Sequence, residues 1–356
     1  MGGPMKTAGT MLLLSFVVGL VACAPAAEDA EPQSVAASDR VLKLEELTYP
    51  DIDSLDREST IFFLTFGNLE EHGPHVPVGS DYFQAVGVRD RLIARLQETH
   101  PDYTFVLVPV VPLGEGGADD LARRFKEERH TGIHVGTFPV RFTTLRDVAV
   151  DLGASIARKG FQNIFLIHSH GAPLHNVAFS QSAAFVSERY NVRMVNVTSL
   201  VIGEELYSSD VLDRHLGEGW QEEIGITGHA GTAETSANLF LHDLVKPEYR
   251  DLEPFVVEDF SGLSRIHESQ DWPGYWSDPS KATREIGEDL INDFVDRSAR
   301  IAEMALAGED LSQLPVYPDS LPGTPEGGEL SNELQEHYAQ QTAEFEAWLR
   351  EQQLER

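Results

Sequence analysis

The chain has 356 residues, 41% hydrophobic and 9% aromatic, which supplies a sizeable core and excludes wholesale disorder. Lys and Arg number 27 against 58 Asp and Glu, and the resulting charge of −31 repels phosphate backbones and argues against general nucleic-acid binding. A single cysteine excludes an intrachain disulfide and a cysteine-based zinc site, so any metal must be held by His, Asp and Glu.

The chain opens with Lys6 and an apolar run over residues 11–22. That run is shorter than the roughly 20 apolar residues a spanning helix needs, and small residues close it, as in an export signal. The only cysteine follows directly, in Leu20-Val21-Ala22-Cys23. This resembles the lipobox of bacterial lipoproteins. The resemblance implies a signal peptide over 1–22, lipidation at Cys23, and a flexible tether completing the segment 23–43. It also implies an exported protein, anchored to the bacterial envelope by lipid alone, on the periplasmic side of the outer membrane or at the surface. A plain cleavable signal with a chance cysteine is the alternative.

In the body, Ser59-Thr-Ile-Phe-Phe-Leu-Thr-Phe66 reads as a buried strand running into a Gly/Pro-containing loop. Residues 83–96 carry helical apolar spacing, and 105–111 read as a strand. A helix over 144–159, a strand over 163–168, a helix over 176–190 and a strand over 193–198 follow. This alternation predicts an α/β fold with a mainly parallel sheet, whose ligands gather where strands end in loops. Residues 313–328 read as a linker, and 331–351 as a docked C-terminal helix with Leu334, Tyr338, Phe345, Trp348 and Leu349 on its apolar stripe.

Three polar clusters stand out. The first, Gly67-Asn-Leu-Glu70-Glu-His72-Gly-Pro-His75-Val-Pro-Val-Gly-Ser-Asp81, follows the first long strand. Its carboxylates and imidazoles suit Zn, Mn or Fe, and Asp81 has two oxygens with which to bridge two ions. The second is His168-Ser-His170-Gly-Ala-Pro, at a strand end. The third, Gly228-His229-Ala-Gly-Thr-Ala-Glu234-Thr-Ser236, leads into a helix expected over 236–241. Taken singly, each also fits a hydrogen-bonded loop, a structural histidine or a helix cap.

Taken together, the three resemble the motifs of the creatininase, or creatinine amidohydrolase, family. Glu-x-His-Gly-x-His-x-Pro-x-Gly-x-Asp matches from Glu70 to Asp81. A strand entering His-Gly matches at His170-Gly171, and His-Ala-Gly-x-x-Glu-Thr-Ser matches from His229 to Ser236. Weaker matches lie at Gly136-Thr137, Gly160-Phe161, Asp278-Pro-Ser-Lys-Ala-Thr283 and Gly287. The resemblance implies a three-layer α/β/α domain over 44–312, two divalent ions (Zn first, Mn or Fe as alternatives), and homo-oligomers up to hexamers. Carried over, Glu70 and His170 hold one ion, His72 the other, and Asp81 bridges them. Glu234 completes the coordination of the second ion or assists catalysis, and His229 is the general acid/base. Creatininase has a glutamate two residues after the second-motif histidine, where this chain has Ala172. His168 replaces the usual Asn and is another candidate ligand or supporting donor.

The activity implied is hydrolysis of a C–N amide bond by a metal-bound hydroxide, with His229 protonating the leaving nitrogen. Family creatininases grip their ring with tryptophans and an Asp just before the third motif. Here Ile226 stands three residues before His229 and the nearest preceding tryptophan is Trp220. A lactam, an N-formyl compound or another small amide is therefore expected. A peptidase of the same family and a non-catalytic metal-binding envelope lipoprotein are the alternatives.

Overall fold

The computed structural model describes residues 40–116, 136–258, 272–317 and 325–351. The expected signal peptide, Cys23 and residues 24–39 of the tether lie outside the described residues. Five strands form one parallel sheet: β1 (Val41–Lys43), β2 (Thr60–Thr65), β3 (Thr104–Leu107), β4 (Asn163–Ile167) and β5 (Arg193–Asn196), in the order β1-β3-β2-β4-β5. In chain order the α-helices are α1 (Tyr49–Ser54), α2 (Ser80–Thr99), α3 (Phe142–Ala157), α4 (Pro173–Tyr190), α5 (Val197–Glu204), α6 (Ser209–Leu216), α7 (Trp220–Ile224), α8 (Thr232–Leu241), α9 (Arg284–Leu306) and α10 (Pro325–Glu351), with short 3-10 turns between some of them.

Every residue of β2 and β4 is buried, because helices cover both faces of the sheet. Phe62, Leu64, Phe66, Ile164 and Leu166 pack against α3 and α4, while Ile61, Phe63, Phe165 and Ile167 pack against α2, α5 and α9. This is the expected three-layer α/β/α arrangement. The chain leaves β2 for β3 on one side and later returns to β4 on the other. The carboxyl ends of β2 and β4 therefore flank a topological switch point, where open α/β sheets place their ligands.

Several boundaries differ from the sequence reading. The segment expected to end as tether carries edge strand β1. Strand β3 stops at Leu107, ahead of Pro109, which has no N–H; Val108 and Val111 nevertheless donate to Phe63 O and Thr65 O. Helix replaces strand from Val197, because Asn196 caps α5 by accepting from the Ser199 N–H. Helix α8 begins at Thr232, four residues earlier than expected. Helix α10 starts at Pro325, inside the expected linker, and Arg141 donates to Thr342 on it. Phe345 and Trp348 remain about half exposed, at 52% and 50%, so these two docking residues are not covered. The side chains of Leu334 and Tyr338 lie outside the described residues. Among the described residues, no helix is long and apolar enough to cross a membrane.

Candidate metal centre

The loop after β2 brings its acidic and imidazole side chains back over the sheet. Phe66 N–H donates to Ile167 O and Gly67 N–H to Val111 O, which ties the loop root to both neighbouring strands. Glu70 N–H donates to Val78 O, closing the loop on itself. Gly73 makes the turn at φ +62°, a conformation glycine adopts without penalty. The loop ends where α2 begins, so Asp81 lies in that helix's first turn, where backbone N–H groups favour negative charge.

Three groups of side chains could each hold a metal ion: Glu70, Asp81 and His170; His72, Asp81 and Glu234; and Glu70, His72 and His229. Asp81 belongs to the first two. Its Oδ2 is buried and accepts no hydrogen bond, while Oδ1 takes only a long one, 3.3 Å, from Ser169. A buried carboxylate oxygen without a hydrogen bond, with an imidazole nitrogen no nearer than 3.4 Å, suits a cation. His170 Nδ1 lies 3.0 Å from Glu70 Oε2 and 3.4 Å from Asp81 Oδ2, and His72 Nε2 lies 3.2 Å from Glu234 Oε1.

The remaining nitrogen of each ring is already committed. His72 Nδ1–H donates to Glu70 O at 2.9 Å, and His170 Nε2–H donates to Glu115 O at 3.1 Å. Carbonyls can only accept, so each bond fixes the tautomer and leaves the opposite nitrogen facing the carboxylates, the usual support of a metal-ligating imidazole. Glu234 is held likewise: Ala230 N–H donates to Oε2 at 2.7 Å, and Gln84 to Oε1 at 2.9 Å. Ala230 adopts φ 50°, a strained value for a residue with a Cβ, and this turn aims its N–H at Glu234. Carboxylates, with imidazoles that bind once they shed a proton, make a donor set that fits divalent ions.

Electrostatics follow the same pairing. Burial opposes charge on every member, yet opposite charges outweigh it. Glu70 is held well below the usual carboxylate range by His170 and His229, and Glu234 falls to about 2 beside His72. His72 and His170 are raised well above an ordinary imidazole, against burial, by Glu234 and by Glu70 with Asp81 respectively. His229 is raised less: burial and His72 oppose what Glu70 and Glu71 favour.

His229 sits at the rim of this cluster. Its Nδ1 is 3.5 Å from Glu70 Oε1, its Nε2 is 3.4 Å from Glu71 Oε1, and its ring packs on His72. His168 does not join the site. It donates through Nε2 to Asn196 Oδ1, packs against His175 and Phe179, and burial lowers it to about 3, so it is a neutral core residue. Ala172 adds no donor. His75 is a strut between motifs: its Nε2 bonds Ala230 O and Thr235 Oγ1.

Sequence reasoning missed Glu71, Gln84, Trp272 and Trp276. Glu71 was visible only as the variable position between Glu70 and His72. The indoles of Trp272 and Trp276 lie 5.9 and 5.3 Å from the His229 ring, and come from the segment after the third motif. Proximity of Trp276 to Asp278-Pro279 was the only signal.

A parallel α/β sheet with buried carboxylates and imidazoles gathered at its switch point defines an α/β protein with a candidate metal centre. The sequence profile described as "Creatininase: Creatinine amidohydrolase" matches residues 45–302. The chain belongs to the creatininase family. A crystal structure of creatinine amidohydrolase (creatininase) is similar at 20% identity and TM-score 0.56, covering 74% of this chain and 97% of its own. A mutant creatininase of the Zn-Zn type is 19% identical at TM-score 0.52, covering 77% of this chain and 99% of its own. One described as creatininase Mn is 20% identical at TM-score 0.51, covering 74% and 98%. No curated protein sequence matches.

Proposed function

We propose that the protein is a dinuclear amidohydrolase acting on small amides, with Glu70, Asp81 and His170 around one divalent ion and His72, Asp81 and Glu234 around the other. The observation that carries this reading is the membership of Asp81 in these two groups, with one of its oxygens buried and making no hydrogen bond. Zinc or manganese is the ion, by likeness to the relatives described with them. Divalent ions in such a site supply Lewis acidity toward a carbonyl oxygen and lower the pKa of water.

The side chains supply the rest. An amide nitrogen leaves poorly unless it is protonated, and in this reading His229 carries that proton. Glu70 and Glu71 flank its two nitrogens and favour the protonated ring, while His72 restrains the shift. Ser169 and Gln84 hold Asp81 and Glu234 in place through hydrogen bonds. The substrate is a lactam, an N-formyl compound or a short peptide.

The test is metal analysis of the purified protein alongside hydrolysis of those three amide classes. Two ions per chain with turnover is the expected result. Bound metal with no turnover of any class supports a binding protein instead, and absence of both overturns the reading.

A further inference from the structure

His229 hands its proton to the departing nitrogen, so whatever packs beside it meets the amine half of the substrate. Two indoles do so, at ring-centroid distances of 5.3 Å for Trp276 and 5.9 Å for Trp272, tilted by 38° and 41°. Their roles differ. Trp272 is buried, donates through Nε1 to Tyr275 O at 3.0 Å, and packs with Val257, so it is fixed backing. Trp276 is only half-buried.

The one polar atom of the Trp276 side chain, Nε1, is enclosed and makes no hydrogen bond. The open part of the side chain is therefore carbon. Gly228 makes this seating possible, because a Cβ there would lie 2.4 Å from Nε1. The backbone holds the indole at the histidine: Trp276 N–H donates to His229 O at 3.2 Å. Ala230 and Ser277, the residues following His229 and Trp276, both adopt left-handed conformations, with φ 50° and 73°. The carboxylate of Glu71 lies at the other end of the imidazole and would repel an anionic amine component.

We propose that Trp276, backed by Trp272, is a specificity-determining wall for the amine half of the substrate, selecting amides whose nitrogen carries an uncharged aromatic or other flat group. This deepens the amidohydrolase reading and rests on it. A flat ring stacks on an indole face with a preference over a puckered ring of equal size, in addition to area burial.

The experiment compares formanilide with N-cyclohexylformamide, which are matched in size, on the zinc-loaded protein. Equilibrium affinity is read by calorimetry, and hydrolysis is followed in parallel. The expected result is a preference for formanilide of about two- to tenfold. Trp276→Leu and Gly228→Ala should abolish it with zinc content unchanged, whereas Trp276→Phe should keep part of it. Equal affinities in the unaltered protein, failure to bind either compound, or a preference undiminished in Trp276→Leu would overturn the wall. Should Trp276→Leu fail to fold, Gly228→Ala and Trp276→Phe decide by the same criterion. Preference without hydrolysis of any amide refutes the amidohydrolase reading, and with it the selecting role of Trp276, leaving a stacking surface alone; hydrolysis without preference keeps the amidohydrolase reading and overturns the wall.

Discussion

Metal binding is expected to release protons and to strengthen as pH rises, because both imidazole ligands carry protons in the metal-free protein. His72 has only Nε2 to offer, since Nδ1–H is committed to Glu70 O, and that Nε2 faces Glu234 Oε1 at 3.2 Å. His170 has only Nδ1, which faces Glu70 and Asp81. Both rings are raised well above the ordinary imidazole range, so near neutrality each must lose a proton before its lone pair can bind an ion. One imidazole per ion corresponds to about one proton per ion. The apparent association constant should then rise about tenfold per pH unit, or ~1.4 kcal/mol, until the pH passes the raised value. Zinc titration calorimetry at pH 7, repeated in buffers of different ionisation enthalpy, counts the protons directly. Binding that releases less than about half a proton per ion, or that is flat between pH 6 and 8, would refute the reading that His72 and His170 are protonated in the metal-free protein.

Three further outcomes are expected. Asp81→Ala should lose both ions in metal analysis, whereas Glu234→Ala should retain one, held by Glu70 and His170. His229→Ala should keep both ions and lose about 10²- to 10⁴-fold in turnover of an identified amide, the range for general acid–base catalysis. Gly287→Ala should destabilise the fold by roughly 1–3 kcal/mol or more through overpacking, since its Cβ would lie 1.9 Å from Ser236 O where α9 crosses α8. Thermal unfolding measures this loss, and an unchanged Tm would contradict the close approach of the two helices.

What was legible in the sequence was what is local. Thr60–Thr65 is apolar enough to read as a strand buried on both faces, and the first motif places Glu70, His72 and Asp81 within one loop and one helical turn. The spacing of Glu234 from His229 is likewise contained in a single turn and helix start. Other features arise only from contacts between distant segments. Glu71 meets His229 across 158 residues, and Gln84 meets Glu234 across 150, so no spacing rule could pair them. His168 looked like a ligand because it stands two residues before one. Its surroundings decide otherwise, since the Asn196 carbonyl and the Phe179 ring make it a core residue. Edge strand β1 escaped notice because it has only three residues and pairs along one side. Trp272 and Trp276 reach the His229 ring from behind the third motif, at a separation no local spacing marks.

The two halves of the site come from different parts of the chain. Glu70, Asp81 and His170 all lie in its first half, on the loop after β2, at the start of α2 and after β4. Glu234 reaches His72 from α8, which packs beside α2 and against α9. Substitutions that loosen the seating of α8 on those two helices should therefore disturb the grouping of His72 with Glu234 and leave Glu70, Asp81 and His170 together.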